Sequence, residues 1–314
     1  MRVGHAEDAT LRSGVTVILP DEPAVASVHV VGGAPGTRES DLLNPLQMVE
    51  RIDALVLAGG SAYGLDAATG VQAWLREQGR GFPVRDLRVP IVPAAILFDL
   101  ANGGDKDWGR YPPYRELGYE AAAAAAATVD TGRRGAGFGA TTATTPGGIG
   151  LAAERLACGA TVMAIMAVNA AGSPLIDDTD HFWAAPFERD REFGGRGWPS
   201  PMPSRPDRIH TKAGHDTAGL NTTIGAVVTD AALSKVEAKQ VAVMAHDGFP
   251  RALYPVHSPG DGDLLFTLST GALALGRDEL SLLALGTVAA NVVARAIAQG
   301  VYAAMQNTEE VATP

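Results

Sequence analysis

The chain is poor in cysteine, in positive charge and in long uninterrupted apolar runs. Cys158 is its single cysteine, so no intrachain disulfide can form. Lys and Arg number 25 against 35 Asp and Glu, a formal net charge of −10, and this argues against a nucleic-acid partner, which would need a basic face. No apolar run reaches about 18 residues, and the first residues lack a basic segment followed by an apolar one. We therefore expect no membrane span, no signal peptide and a cytoplasmic location.

What the chain does contain is enough apolar sequence for a large core. Hydrophobic residues make up 46% and charged residues 19%, which excludes global disorder. Periodicity predicts strands over 15–19, 26–31, 54–58, 89–100, 161–169, 222–229 and 264–269, and helices over 64–78, 121–127, 231–246 and 279–305. Cys158 lies between small residues and is expected to be a core thiol. Strands followed by helices in both halves indicate a layered α/β fold with mixed strand pairing.

The most informative point is the junction between Asn221 and Thr222, where a polar run meets a strand-like run. If this peptide bond is cut, Thr222 carries a hydroxyl and a free amine on adjacent carbons, which is a nucleophile with its own general base. The alternative is that Thr222 is an ordinary β-former. Residues 173–220, directly upstream, show no periodicity; such a segment is either functional or a surface excursion.

Polar residues at two other predicted strand ends could complete such a site. Asn169 ends the strand 161–169, and its amide N–H can donate to a developing oxyanion. Asp261 and Asp263 precede the strand 264–269 and can hold an ammonium and a hydroxyl. The alternative for all three is a turn with solvated polar groups. The acidic loop at 261–263 lacks the residue spacing of a calcium-binding loop. The seven histidines are not spaced as metal ligands, so we expect no metal and no other cofactor.

A glycine-rich block at 59–71 leads from a strand into a helix. Free backbone N–H groups at a helix N-terminus can bind an anion or a carbonyl oxygen, which makes Gly60, Ser61 and Tyr63 candidates for substrate binding. A tight turn that needs glycine is the alternative. The block lacks the Gly-Lys-Ser/Thr ending of a phosphate-binding loop.

Taken in order, several blocks resemble the L-aminopeptidase/D-esterase (DmpA-type) family, and within it the nylon-oligomer hydrolases (6-aminohexanoate-oligomer endohydrolases). The blocks are 4–8, 32–39, 59–71, 89–99, 135–137, 168–169, 221–224 and 261–263. The nylon-oligomer branch is similar in having Asn-Thr at its cleavage point, where the aminopeptidase branch has Gly-Ser. The match covers nearly the whole chain; each block alone is weak, and only the ordered set is specific.

The resemblance implies an αββα sandwich of the DmpA/ornithine-acetyltransferase kind, in the style of N-terminal-nucleophile enzymes. It implies one domain over 1–314 that cleaves itself at Asn221–Thr222 into 1–221 and 222–314, assembled as a homotetramer. By this resemblance Thr222 is the nucleophile, Asn169 an oxyanion donor, and Asp261 and Asp263 the acidic partners.

Two departures from the nylon-hydrolase pattern stand out. Phe98, a further candidate for substrate binding, occupies a position where that pattern has tyrosine, and residues 141–146, which include Thr144, contain no lysine where the pattern has one. Both losses would alter the rate, the substrate or the cleavage. Tyr63 or a backbone N–H of the glycine block would be the replacement for the missing phenol.

The expected function is a self-processing amide hydrolase acting on small peptides or linear ω-amino-acid oligomers through an acyl-enzyme. Three alternatives stay open. They are an aminopeptidase or esterase on short L-, D- or β-peptides, an acyltransferase of the ornithine-acetyltransferase kind, and an uncleaved, non-enzymatic assembly protein.

Overall fold

The computed structural model describes residues 1–212, 221–275 and 279–311. Its strands are β1 (Arg2–Asp8), β2 (Ser13–Leu19), β3 (Ala24–Val30), β4 (Thr37–Arg38), β5 (Arg51–Ile52), β6 (Leu55–Ala58), β7 (Phe82–Val84), β8 (Leu87–Val89), β9 (Ala94–Ile96), β10 (Gly148–Arg155), β11 (Thr161–Asn169), β12 (Thr222–Ala231) and β13 (Leu264–Leu273). Its α-helices are α1 (Ala67–Glu77), α2 (Tyr114–Ala123), α3 (Lys235–Ala245) and α4 (Glu279–Val311).

Two sheets pack face to face between two pairs of helices. One sheet has the order β1-β2-β6-β9-β4 and the other β10-β11-β12-β13-β3-β5. Helices α1 and α2 pack on the first sheet, and α3 and α4 on the second. One core cluster joins side chains of both sheets, among them Leu57 and Phe266, while separate clusters lie under each helix pair. This is the αββα sandwich that the sequence predicted, and that prediction is confirmed.

Strand β12 shows why its sequence suits the central position. Ile224 and Ala226 join the core between the sheets, whereas Val227 and Ala231 join the core under α3 and α4. Successive side chains of a strand point to opposite faces, so a strand buried on both faces carries apolar residues at odd and even positions alike.

The pairing of the central strands gathers their polar ends at one edge. β11 runs antiparallel to β12, with Asn169 opposite Thr222. β12 runs parallel to β13, with Ile224 opposite Leu264. The start of β12, the start of β13 and the end of β11 therefore lie together, although they are far apart in sequence.

Three local expectations were wrong. The helix predicted over the alanine run 121–127 ends at Ala123, because Ala126 exchanges two backbone hydrogen bonds with Val3 (2.8 and 3.0 Å). The strand predicted over 89–100 is broken, since Pro90 and Pro93 cannot donate to a ladder. Cys158 is exposed in the turn between β10 and β11 and does not lie in the core.

Helix α4 is more apolar than we expected from the sequence, which predicted no segment able to span a membrane. Its segment Ser281–Asn307 is long and apolar enough to cross a membrane by length and composition alone. In this structure 61% of its most apolar window is buried, and the helix packs across β10 and β11. Here it covers the six-stranded sheet, a role that demands the same apolar composition.

Candidate active site

The junction between Asn221 and Thr222 is buried where the N-terminal ends of β12 and β13 lie side by side. Thr222 is 4% exposed and Asn221 is 6% exposed. The Thr222 hydroxyl donates to the carbonyl oxygen of Asn221 at 2.5 Å, and the backbone N–H of Gly262 donates to the same oxygen at 3.1 Å. A C=O bond is about 1.23 Å long, so Thr222 Oγ1 lies within about 3.7 Å of the Asn221 carbonyl carbon. The hydroxyl is thus close to the carbonyl that self-cleavage would attack.

Asp263 fixes the backbone directly after the junction. Its Oδ1 accepts from the backbone N–H of Thr223 at 2.7 Å. Its Oδ2 accepts from the backbone N–H of His257 at 3.2 Å and lies 2.9 Å from Nδ1 of the same residue. Asp263 is 2% exposed, so these are buried, charge-assisted bonds that hold the first residues of β12 in register.

Asp261 is the second buried carboxyl. Its Oδ2 accepts from the backbone N–H of Ser258 at 2.6 Å, whereas its Oδ1 is buried with no hydrogen-bond partner among the described residues. Burial raises the pKa of Asp261, and the nearby charge of Asp263 raises it further. Asp261 therefore favours the protonated form more than an ordinary aspartate does.

Asn169 is held by contacts on both sides of its amide. Its Oδ1 accepts from the backbone N–H of Thr141 at 3.0 Å and from the Lys212 ammonium at 2.9 Å. Its Nδ2 donates to the backbone carbonyl of Phe98 at 2.8 Å. Donors at Oδ1 and an acceptor at Nδ2 set one orientation of the amide.

Lys212 is a member of the site that the sequence did not reveal. Its ammonium donates to the backbone carbonyl of Asn169 at 3.1 Å as well as to the side chain, and its own backbone N–H donates to Ala171 at 3.2 Å. Desolvation by the surrounding protein lowers the pKa of Lys212 to about 7, although the carboxyls of Asp261 and Asp99 act in the opposite direction. Lys212 is one of only four lysines in the chain, and this rarity is the only sequence signal for it.

A cavity of about 280 Å³ adjoins Asn169 and Lys212. Phe98, Asp99, Asn102, Thr141, Asn169 and Lys212 contribute to its lining. A larger and more apolar cavity of about 410 Å³ lies near Met48 and Phe82, and none of the polar groups above lines it. Cavities that bind small molecules combine apolar walls with a few converging polar groups, so the smaller cavity is the candidate substrate site.

The glycine block packs internally. The backbone N–H of Gly60 donates to Asp99 Oδ1 at 2.7 Å, and the backbone N–H of Ser61 donates to the Leu97 carbonyl at 3.0 Å. Gly60 has φ +83°, and a Cβ there would collide with the ring of Tyr114, so glycine is required. Both amides are engaged within the protein and are not open donors for an incoming carbonyl.

Tyr63 stands apart from the junction. It is 53% exposed and packs edge-to-face against Trp108, with ring centroids 5.3 Å apart. Among the described residues no hydrogen bond joins Tyr63 to Thr222 or Asn169. Phe98 takes part through its backbone carbonyl and by lining the cavity.

One group of possible metal ligands lies elsewhere. Asp177, Asp178 and His210 bring one ligand atom each within 4.8 Å of one another, a grouping that the scattered histidines did not suggest. Arg208 forms ion pairs with both carboxylates, at 3.6 and 2.7 Å, and so offsets part of their negative charge.

Comparison with known proteins places the chain in a family. The model of peptidase family S58 matches residues 1–312. An uncharacterized aminopeptidase of Mycobacterium bovis is 42% identical over 96% of this chain and 91% of its own length. A 6-aminohexanoate-oligomer endohydrolase of Kocuria sp. (strain KY2) is 29% identical over 93% of this chain and 81% of its own length.

The fold agrees with a solved structure. The L-aminopeptidase D-Ala-esterase/amidase of Ochrobactrum anthropi, described as a variant of the Ntn hydrolase fold, superposes with a TM-score of 0.67 over 96% of this chain and 84% of that one, at 20% identity. The described fold is therefore similar to this variant of the Ntn hydrolase fold. The chain belongs to peptidase family S58. The resemblance stated from the sequence is thereby confirmed.

Proposed function

We propose that the chain cleaves itself between Asn221 and Thr222 and that Thr222 then hydrolyses amide bonds. One observation carries the proposal: the buried carbonyl of Asn221 accepts hydrogen bonds from both the Thr222 hydroxyl and the Gly262 N–H. The hydroxyl is the attacking group, and the N–H is a donor already aimed at the oxygen that becomes negative during attack.

In the first step Thr222 Oγ1 attacks the Asn221 carbonyl carbon. The C–N bond breaks, the proton of the hydroxyl passes to the departing nitrogen, and an ester joins Asn221 to Thr222 Oγ1. Water then opens the ester and leaves the Asn221 carboxylate and a Thr222 with free hydroxyl and amine. The bonds from Asp263 to Thr223 and from Gly262 to Asn221 hold both sides of the scissile bond during this step.

In the second step the mature enzyme acts on a substrate amide. The Thr222 amine takes the Oγ1 proton while the oxygen attacks the substrate carbonyl, and Asn169 supports the oxyanion. The leaving amine departs with that proton, and water releases the acyl group from Thr222. The buried carboxyls of Asp261 and Asp263 orient the new ammonium end of the chain.

Substrates of this site are amides small enough for a cavity of about 280 Å³. The names of the relatives support two classes, short peptides with a free N-terminus and linear ω-amino-acid oligomers. Because the aminopeptidase relative shares 42% identity and the oligomer hydrolase 29%, aminopeptidase activity on short peptides is the first substrate class to test. The tetrameric assembly and the cytoplasmic location stay predictions.

Intact mass and a denaturing gel test the proposal. The purified chain of 32.4 kDa should give two fragments of roughly 23 and 10 kDa, in proportion to their residue numbers. Thr222→Ala should stay in one piece and hydrolyse neither aminoacyl anilides nor 6-aminohexanoate oligomers. Thr222→Ser is the matched control, since it keeps the hydroxyl and the amine, and it should be cut and active.

Fully active wild-type enzyme that consists of one unbroken chain would refute the proposal. An added amine acceptor separates hydrolase from acyltransferase, because a hydrolase gives mainly the free acid and a transferase mainly the acyl-amine.

A further inference from the structure

Lys212 has contacts that neither the fold nor the proposed chemistry explains. Its ammonium does not pair with a carboxylate at salt-bridge distance among the described residues; it donates to the Oδ1 and the backbone carbonyl of Asn169, at 2.9 and 3.1 Å. A lysine placed against a neutral amide loses hydration without gaining an ion pair, which is unfavourable unless the charge has a use.

The position of the charge suggests that use. The Asn169 amide is expected to donate from Nδ2 to the oxyanion, and Lys212 contacts the opposite end of the same amide. A positive charge at Oδ1 draws electrons from the amide nitrogen and makes its N–H a stronger donor, and the hydrogen bond also holds the amide in one orientation.

We propose that Lys212 is a positioning residue for turnover, which holds and polarises the Asn169 amide so that its Nδ2 stabilises the oxyanion of the acyl-transfer step. The proposal rests on the proposed function. It assigns Lys212 no part in self-cleavage, where the Gly262 N–H already contacts the Asn221 oxygen.

Because the role depends on charge, turnover should depend on the ionisation of Lys212. The charged groups that act on it are the carboxyls of Asp99 and Asp261. Burial lowers the pKa of Lys212 to about 7, and α-amino groups such as that of Thr222 titrate near ~7.7–8 in peptides. Turnover needs the lysine protonated and the amine deprotonated, so kcat/KM should pass through a maximum between these two values and decline at more alkaline pH.

The experiment compares Lys212→Met, Asn169→Ala and the double variant. Lys212→Met should still be cut into two fragments, and its kcat should fall about tenfold to a hundredfold, below the ~10²–10³ expected for losing the donor itself. KM should change little, since the oxyanion exists only in the transition state. The double variant should be no slower than Asn169→Ala, because the lysine acts through that amide.

Two further variants separate this role from a structural one. Lys212→Arg keeps a charge that does not titrate in this range, so its alkaline decline in kcat/KM should disappear. Lys235→Met is the matched control: the Lys235 ammonium donates to three backbone carbonyls, those of Leu42, Gln47 and Val49, and its loss should leave the pH profile unchanged.

The outcomes are distinguishable. A wild-type chain that never fragments would overturn the proposed function and this inference together. Fragmented Lys212→Met with wild-type turnover, additive losses in the double variant, or a Lys212→Met chain that stays in one piece would overturn the inference and leave the proposed function standing. If Lys212→Met does not fold, the test is Lys212→Arg. An alkaline decline in kcat/KM that is the same in Lys212→Arg as in the wild type overturns the inference.

Discussion

Gly262→Ala should slow self-cleavage while leaving the fold intact. Gly262 has a φ outside the left-handed region, so alanine introduces no backbone strain and acts through its methyl group alone. That methyl would lie 2.6 Å from Thr222 Oγ1, 2.9 Å from the Ala34 carbonyl oxygen and 3.1 Å from Thr222 Cγ2. The first two distances are far shorter than a carbon–oxygen contact allows, and one of the two groups is the proposed nucleophile.

The size of the effect follows from these contacts. Relieving an overpacked methyl typically costs about 1–3 kcal/mol, which a domain of this size survives. To relieve the clash of the added methyl group, the Thr222 hydroxyl or the loop at Gly262 must move by several tenths of an ångström. Attack requires the reacting atoms about 3–3.5 Å apart, and a misplacement of about 1 Å can cost 10²-fold in rate. We therefore expect cleavage to slow by about tenfold to a hundredfold.

A time course of fragment formation after a short pulse of cell-free synthesis measures this rate. Gly286→Ala is the control, because the three atoms nearest to its methyl all belong to the flexible side chain of Met244 on α3, and it should be cut at the wild-type rate. Thermal unfolding of both variants shows whether they fold. Cleavage of Gly262→Ala at the wild-type rate would show that Thr222 is not confined as described, and the geometry assigned to the junction would be wrong.

Two further predictions concern stability, both measured on a Thr222→Ala parent that stays in one piece. Asp263→Asn should lower the free energy of unfolding by about 2–4 kcal/mol, because an amide cannot accept from Thr223 and His257 at once; an unchanged urea midpoint would contradict this. Stability should rise with pH above 7, by up to about 1.4 kcal/mol per unit, because the native state holds Lys212 at a pKa of about 7 and binds fewer protons than the unfolded chain. Lys212→Met should lack this rise in the free energy of unfolding with pH. Equal slopes of unfolding free energy against pH in the parent and in Lys212→Met would refute the prediction.

The strands that carry the site could be predicted from sequence. The structure has β11 at Thr161–Asn169, the bounds predicted for that strand, and β12 begins at Thr222 as predicted. β11 is apolar from Val162 to Val168 and ends at a polar residue, and β12 is rich in Thr, Ile and Val and follows a polar run, so composition and length agree on both strands. Asn169 and Thr222 are therefore placed by local sequence, and their pairing follows from the sheet.

Lys212 could not be predicted in this way. It lies in a segment without periodicity, and its ammonium reaches a residue 43 positions earlier. Its backbone N–H donates to the carbonyl of Ala171, a hydrogen bond that exists only once the chain has folded. The part of the aperiodic segment at 213–220 lies outside the described residues. The helix predicted over the alanine run 121–127 was wrong for a related reason. Backbone pairing of Ala126 with Val3 overrides the helix propensity of alanine.

The hydrogen bond from Gly262 to Asn221 links both proposed steps. Asn221 forms an isolated parallel bridge with Asp261, in the same register as the β12–β13 ladder and three residues before its first pair, Ile224 and Leu264. The Gly262 N–H is thus a ladder donor whose acceptor is the scissile carbonyl. Once the bond is cut and Asn221 departs, the same N–H faces the new terminus at Thr222 without its former acceptor. A substrate carbonyl that takes the place of Asn221 meets this donor together with Asn169, so self-cleavage would itself open the position that the substrate occupies.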